Sequence, residues 1–265
     1  MDVYVDGIGV RGPGLYGWDE TKHVLAGTAV HDRNQTTRYE EKFLPANERR
    51  RASPIVRLAI DAGFEALSHC AADASGIATV FATSGGDGSA VHDICSALAT
   101  QQRDVSPTRF HNSVHNAPAG YWNIAADSQQ PSTTVCGYDA SFAIGLLEAA
   151  TLVVTRQMDV LLVACDMPFP FPLANVRPMR SSFAVGFVLR PKYSADTIAA
   201  LSLTITAQPA DESKLENNTE LELLRRSVPS ARALPLLQTI AKRRRDLLHF
   251  ELYQSTAVAT QIEYA

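Results

Sequence analysis

Residues 132–165 carry the pattern that most constrains the fold. Residues 132–136 are rich in β-branched side chains, and residues 159–165 form an apolar run. Between them, apolar residues recur at helical spacing over 140–155, and Asp139 stands where a helix N-cap is expected. This order of strand, helix and strand predicts a βαβ unit, with parallel strands joined by a right-handed crossover.

The rest of the chain continues this alternation and predicts an α/β fold. Strands are predicted over residues 3–10, 77–83, 183–189 and 201–207, and helices over 18–26, 53–67, 90–100 and 116–126. The helix at 53 is expected to begin with Ser53 as N-cap and Pro54 in the first turn. Residues 104–116 and the proline-rich stretch 167–182 read as loops. Residues 208–232 read as a polar excursion, followed by an amphipathic helix over 234–245 and two strands over 247–253 and 258–264.

Composition excludes several classes of protein. The chain has 265 residues, 46% of them hydrophobic, and a net charge of −4, which fits an ordinary globular protein and argues against a nucleic-acid binder. Its apolar runs, such as 160–165, are too short to predict a membrane span, and its first residues do not resemble a signal peptide. The cysteines at 70, 95, 136 and 165 form no metal-binding or disulfide pattern, so we expect no metal and a cytoplasmic location.

An ordered set of segments carries a family resemblance over residues 1–207. The segments are 3–10, 51–60, 78–88, 113–120, 136–145 and 182–189. Together they resemble the N-terminal half of a β-ketoacyl synthase of the thiolase superfamily. The resemblance implies a thiolase-like fold with a mixed, largely parallel sheet, helices on both faces, and a second thiolase half that is reduced or absent. Residues 208–265 would then be a short C-terminal extension packed on the same domain.

A narrower resemblance lies in 115–122, 138–142 and 145–148. These segments are similar to the chain-length factors of aryl polyene and xanthomonadin-type pigment clusters, which are non-catalytic partners of a ketosynthase. This similarity implies a heterodimer with a full-length ketosynthase, an acyl carrier protein as a further partner, and no cofactor. A lone thiolase half is also expected to expose an apolar surface that the partner covers.

The catalytic equipment of the family is incomplete in this sequence. A ketosynthase that resembles this family uses a thiolate and two histidines, which lie in His-Gly-Thr-Gly-Thr and Gly-His motifs. Neither motif is present, and only His249 follows Cys136. With Ala143-Ile-Gly145 as anchor, the cysteine position of the family falls on Gly137, so Cys136 comes one residue early. Because a one-residue slip at a strand end reverses the side chain, Cys136 is either a small packing residue or a displaced nucleophile.

The remaining candidates are positions that the resemblance places at the acyl tunnel or the subunit interface. They are Asn112, His115, Ala119, Trp122, Gly137, Tyr138 and Phe142, and Trp122 could equally be a core residue. The segment Gly85-Gly86-Asp87-Gly88 lacks the spacing of a nucleotide-binding loop and is predicted to be a tight turn. The arginine runs at 49–51 and 242–245 read as solvated faces, to which an acidic carrier protein would be attracted.

Three hypotheses about function remain open at this point. The first is a non-catalytic chain-length-factor-like subunit that shapes the acyl tunnel of a ketosynthase. The second is a stand-alone condensing enzyme or acyltransferase that uses Cys136. The third is a purely structural scaffold subunit.

Overall fold

Strands from the whole length of the chain form one nine-stranded sheet in the computed structural model, which describes residues 1–207 and 211–264. The strands are β1 (Asp2–Gly12), β2 (Leu15–Tyr16), β3 (Ala78–Ala82), β4 (Ser132–Val135), β5 (Val160–Asp166), β6 (Phe183–Arg190), β7 (Ala199–Thr206), β8 (Asp246–Tyr253) and β9 (Thr256–Glu263). Their order is β4-β3-β5-β6-β1-β7-β9-β8, and β2 pairs with β1 as a short hairpin.

Helices fill most of the connections between these strands. They are α1 (Trp18–Ala26), α2 (Ala46–Arg51), α3 (Pro54–Ser68), α4 (Gly88–Leu98), α5 (Pro107–Asn112), α6 (Ala117–Ala126), α7 (Ser141–Arg156), α8 (Leu173–Val176), α9 (Thr219–Ser227) and α10 (Leu234–Ala241). Two 3-10 turns, Tyr138–Ala140 and Pro229–Ala233, precede α7 and α10. The short helices α5 and α8 lie in stretches that the sequence predicts as loops.

The parallel βαβ unit is confirmed, but the largely parallel sheet is not. Strands β4 and β5 both run parallel to β3, which lies between them. All other strand pairs among the described residues are antiparallel, including β5 with β6 and β1 with both β6 and β7. For β8 and β9 the reason is local, because the two residues 254–255 that join them are too few for the crossover connection that parallel neighbours need.

Helices cover both faces of the sheet, as predicted. Alternation along β3 shows the division, because Phe81 faces the core under α3 and α6 whereas Val80 and Ala82 face the core under α1, α7 and α10. Helix α3 begins at Ser53 and Pro54 as predicted. The hydroxyl of Ser53 makes no hydrogen bond, however, so the predicted side-chain cap is absent.

The apolar side of α7 is covered by the C-terminal part of the chain itself. Phe142 on α7 lies between Phe187 on β6 and Phe250 on β8, with ring centroids 6.2 and 5.4 Å away. The end of the sheet that carries β7, β9 and β8 therefore folds back over α7. The residues after 210 therefore cover α7, whereas Phe110, Val114 and Ile124 elsewhere on the chain remain exposed, so the expected apolar surface is present away from α7.

The predicted polar excursion over 208–232 is only partly loop. Residues 208–210 lie outside the described residues, and 219–233 form α9 and a 3-10 turn. Leu221 and Leu224, one helical turn apart, pack into the core, and Arg225 beside them is buried in ion pairs with Glu212 and Glu222. Helix α10 ends at Ala241, four residues short of its predicted end, and is buried over nearly its whole length rather than amphipathic. The domain boundary at residue 207 stays a prediction.

One helical segment passes the length and composition test for a membrane-spanning helix, although no span is predicted from the sequence. Residues Tyr138–Arg156 are long and apolar enough by length and composition, and half of their 18-residue window is buried inside the protein. This is the helix that packs between the sheet and the C-terminal strands. Core helices of soluble proteins pass the same test, so the observation is weak evidence for a span.

Candidate functional site at the strand-to-helix elbow

The sharp turn between β4 and α7 is held by the hydroxyl of Ser141. Its oxygen accepts a hydrogen bond from the backbone N–H of Gly137 at 3.1 Å. The hydroxyl lies within donating distance of two carbonyls, Tyr138 O at 2.7 Å and Thr83 O at 3.1 Å. Tyr138 occupies the left-handed region with φ of 55°, an uncommon conformation for a large side chain. Together these features make a strand-to-helix elbow of the kind that presents nucleophiles in other enzymes.

Gly137, which the family resemblance aligns with the cysteine position, has the end of the Ile144 side chain where a Cβ of its own would lie. An ideal Cβ at this residue would lie 2.2 Å from Cδ1 of Ile144, far inside van der Waals contact. Ile144 belongs to the second turn of α7 and fills the volume in front of the elbow. A thiol at position 137 would therefore need Ile144 to adopt another rotamer.

Cys136 is exposed but is not activated. Partial burial against its neighbours, together with the negative charge of Asp166, raises the pKa of the Cys136 thiol above its usual value. Catalytic cysteines need the opposite shift, because the thiolate is the nucleophile. The buried thiol of Cys165, at the end of β5, has its pKa raised much further by desolvation. Cys136 thus remains a candidate by position only.

Asp166 is a central residue of this region that the sequence analysis missed. It is fully buried at the end of β5 and accepts hydrogen bonds from the backbone N–H of Ser84 at 2.8 Å and from its hydroxyl at 2.7 Å. Its other oxygen accepts from the N–H of Ser230 at 2.8 Å. Burial raises the pKa of Asp166, although these hydrogen bonds oppose the shift. The available signal was an acidic residue that directly ends a continuous apolar strand.

Asp139 is not a helix cap, contrary to the prediction. It lies inside the 3-10 turn that precedes α7, and its carboxylate pairs with Arg177 at 2.5 Å and with Arg232 at 3.3 Å. Arg177 also lies over the ring of Tyr138, 3.6 Å from its centroid. Arg232 continues to Glu212 at 2.9 Å. A chain of charges thus connects the elbow to the proline-rich loop and to the C-terminal extension.

The other candidates do not converge on this elbow. Asn112 is buried and donates to the carbonyl of Arg51 at 2.8 Å. Ala119 and Trp122 lie in the core beneath α3, where Trp122 contacts Phe64 at a centroid distance of 4.7 Å. Phe142 belongs to the core on the opposite face of the sheet. The sheet therefore separates Phe142 from Ala119 and Trp122.

His115 is exposed and lies against the glycine-rich turn. The predicted tight turn at 85–88 is present, and Asp87 caps α4 by accepting from the N–H of Ala90 at 2.9 Å. A Cβ on Gly86 would come within 3.1 Å of the Cα of His115, and one on Gly88 would overlap the ring of Phe169. The glycines therefore make room for two neighbouring segments, which is a packing role.

His249, the one histidine that follows Cys136 in the sequence, lies on β8. Leu248 and Phe250 of β8 face the core, so the side chain of His249 between them points to the other face of the strand. No group of three or more His, Cys, Asp or Glu that could hold a metal ion occurs within 1–207 and 211–264.

Solved structures share this fold over nearly the whole chain. A chain of the ketosynthase ApeO in complex with its chain length factor ApeC from Xenorhabdus doucetiae matches with a TM-score of 0.73 and 24% identity, covering 98% of this chain and 99% of that one. The ishigamide ketosynthase/chain length factor matches with a TM-score of 0.73 and 14% identity, covering 99% of both chains.

A third match is to the AntDE:AntF complex, a type II PKS acyl-carrier protein with its ketosynthase bound to the hexaketide. Its TM-score is 0.74 at 13% identity, covering 100% of this chain and 99% of that one. At these identities the matches show the thiolase-like fold. No curated protein sequence matches this chain.

The similarity of fold alone does not show which protein family the chain belongs to, but a match to a family model does. The model for the β-ketoacyl synthase N-terminal domain matches residues 18–248, which is most of the chain. The matched range contains the elbow, the proline-rich loop and much of the C-terminal extension. The chain belongs to the β-ketoacyl synthase N-terminal domain family.

Proposed function

We propose that the chain is a non-catalytic, chain-length-factor-like subunit that pairs with a full-length ketosynthase. The observation that carries this proposal is the elbow at Gly137. Glycine replaces the nucleophile there, and Ile144 fills the space that a thiol would need. Both histidine motifs are absent from the sequence, which agrees with an elbow that has no catalytic role. Similar chains occur in structures named as ketosynthase/chain length factor complexes, which supports the same role.

An exposed apolar surface supports a heterodimer. Phe110, Val114 and Ile124 on and beside α5 and α6 are between 48% and 65% exposed, and Leu98 at the end of α4 is 50% exposed. Helix α5 contacts α4, and it shares a surface cavity with Tyr121 and Ile124 of α6. The edge strand β4 lies under α6, with its outer side unpaired among the described residues. Large exposed apolar patches of this kind mark protein interfaces.

The first arginine run is the better contact for an acidic acyl carrier protein. Arg49, Arg50 and Arg51 are exposed on α2, and the ion pair that they form among the described residues is the long one of 3.9 Å between Arg51 and Glu48. In the second run, Lys242 and Arg244 are both paired with Glu216. Helix α2 also adjoins α5 through the Asn112–Arg51 hydrogen bond. We therefore place the carrier-protein contact beside the apolar surface.

The tunnel role falls on the accessible candidates. His115 and Tyr138 are exposed and can meet a partner or an acyl chain without rearrangement. The other candidates are buried inside this chain, namely Asn112, Ala119, Trp122 and Phe142. They would influence such a tunnel by supporting the residues that line it, without contacting the acyl chain themselves. An aryl-polyene-type product and a cytoplasmic location belong to this proposal as well.

Co-purification tests the partnership. Tagged protein is co-expressed with each full-length ketosynthase of its source organism, and the complex is measured by size and by product formation. We expect one ketosynthase to bind, and its products to change in length when Tyr138 or His115 is replaced by Ala. A matched replacement of exposed Tyr253, on the far edge strand, should leave the products unchanged. Assembly with unchanged products in all variants would favour the structural scaffold instead.

The enzyme alternative rests on the exposure of Cys136 at the elbow. It is tested by the intact mass of the complex after treatment with cerulenin, with Cys136→Ala as control. An adduct on this chain that disappears in the variant would establish that Cys136 is a reactive thiolate. An adduct confined to the ketosynthase chain supports the non-catalytic role.

A further inference from the structure

A crevice remote from the elbow has an unusual balance of charge. It has a volume of about 250 Å³ and lies where the loop at 31–36, residues 180–181 and the start of α9 meet. Arg33 and Arg180 line it, and neither has an ion-pair or hydrogen-bond partner within the described parts of the chain. Glu220 is the one acidic residue in the lining. The crevice therefore carries a net positive charge.

The walls of the crevice are held in place by hydrogen bonds that leave the two guanidinium groups free. His31 is anchored by its Nε2, which donates to the carbonyl of Pro13 at 2.8 Å. Asp32 accepts from the N–H of Asn34 and from the amide of Gln35, both at 3.1 Å. The carboxylate next to Arg33 in sequence is thus engaged with its own loop.

Two further features describe what would fit. Thr37 donates to the carbonyl of Ser182 at 2.8 Å, which fixes the arginine-bearing loop against the segment that carries Arg180. Leu221 and Leu224 of α9, both buried, form an apolar part of the lining. Guanidinium groups bind phosphate through paired, charge-assisted hydrogen bonds, and an apolar lining favours a ligand with a small apolar body.

We propose that this crevice binds a small phosphate monoester, with Arg33 and Arg180 on its phosphate group. One wall of the crevice belongs to residues 1–207, here called the body, and another belongs to α9 of the C-terminal extension. A bound ligand would therefore also connect the extension to the body. None of the lining residues takes part in the elbow, so the proposal is independent of the proposed function.

The test is calorimetric titration of the full chain with phenyl phosphate, inorganic phosphate and benzoate at low salt. We expect saturable binding of phenyl phosphate with a Kd of about 1 mM or lower, with inorganic phosphate and benzoate weaker. Arg33→Gln and Arg180→Gln should each weaken phenyl phosphate binding about tenfold, the loss of one charge-assisted contact. Arg156→Gln, an exposed arginine at the end of α7, is the matched control and should bind normally.

Glu220→Gln provides a second, opposite test. Removal of the competing carboxylate should tighten phenyl phosphate binding several-fold. If the two arginines serve only to balance the charge of Glu220, the affinity of Glu220→Gln for phenyl phosphate will not increase. Absence of saturable binding, wild-type affinity in either arginine variant, or equal affinity for benzoate would each overturn the proposal. Far-ultraviolet circular dichroism of every variant confirms that the exposed replacements leave the fold intact.

Discussion

The ring of Phe250 on β8 stands edge-on to the ring of Phe142 on α7, with an interplanar angle of 79° and 5.4 Å between centroids. The two residues lie 108 positions apart in a chain in which α7 follows the elbow and β8 belongs to the C-terminal extension. Both side chains are fully buried. This contact makes the extension part of the core that supports the elbow.

The first prediction concerns this contact. Phe250→Ala should lower the free energy of unfolding by about 3–5 kcal/mol, because it removes a large buried ring next to Phe142 and leaves a cavity. Urea unfolding followed by tryptophan fluorescence and by circular dichroism measures the loss. The control is Tyr253→Ala on the same strand, where a side chain 71% exposed should change stability by no more than about 0.5 kcal/mol.

The two probes also test whether the extension unfolds with the body. If both report one shared transition in the wild type, the body and the extension form one cooperative unit. A separate early transition in the wild type, combined with a small effect of Phe250→Ala, would contradict the role that we assign to the extension.

Apolar runs and a Ser-Pro helix start made much of residues 1–207 predictable. Strands β5 and β6 are buried on both faces, so each appears in the sequence as a nearly unbroken apolar run. Helix α3 follows a Ser-Pro start and has regular apolar spacing. These are local signals, and each of them survives in the folded chain even though the hydroxyl of Ser53 makes no hydrogen bond.

Strand direction and the role of the extension could not be predicted, because they depend on distant contacts. Nothing local to β1 indicates that it pairs antiparallel with both β6 and β7. Helix α9 has a polar sequence, and its buried residues are Leu221, Leu224 and the ion-paired Arg225. At the elbow, Asp139 has the residue type of a cap, but two arginines from other segments bind it. The composition of 138–156 also resembles a membrane span until its packing is known.

The second prediction concerns the space at the elbow. Gly137→Ala should lower the free energy of unfolding by about 1–3 kcal/mol, since the added Cβ would lie 2.2 Å from Ile144. The double variant Gly137→Ala, Ile144→Val should recover part of the loss relative to Ile144→Val alone. Thermal and urea unfolding of the four proteins gives the coupling between the two sites.

Gly120→Ala is the matched control for this measurement. Gly120 lies in α6, and a Cβ there would meet nothing within 4 Å. Its replacement should stabilise the protein by about 0.4–1 kcal/mol. Equal effects at positions 120 and 137 would mean that the elbow has room for a side chain after all.

The third prediction follows from the raised pKa of Asp166. Burial raises this pKa above its value in the unfolded chain, so the folded state holds the proton more tightly. The contribution of Asp166 to stability is therefore fully present below the unfolded pKa, near 4, and is lost as the pH rises through the folded pKa. Within that window the loss is at most about 1.4 kcal/mol per pH unit.

The measurement is urea unfolding between about pH 3.5 and pH 8, a range of about 4.5 pH units that begins near the ordinary carboxyl pKa. The stability difference between wild type and Asp166→Asn should fall as the pH rises through the window. Asp73→Asn provides the opposite sign, because hydrogen bonds from Ser75 lower the pKa of exposed Asp73, and its contribution is lost as the pH falls. A difference for Asp166 that is constant across the range would contradict the raised pKa.

The fourth prediction ranks the cysteines by their reaction with iodoacetamide, followed by peptide mass spectrometry. Cys95 is exposed and serves as the internal reference. Cys136 should react more slowly, because partial burial and Asp166 raise its pKa and reduce its thiolate fraction. Cys70, whose pKa burial raises to about 11, and buried Cys165 should remain unmodified in the folded protein. Modification of Cys136 ahead of Cys95 would show an activated thiol and would favour the enzyme over the silent subunit.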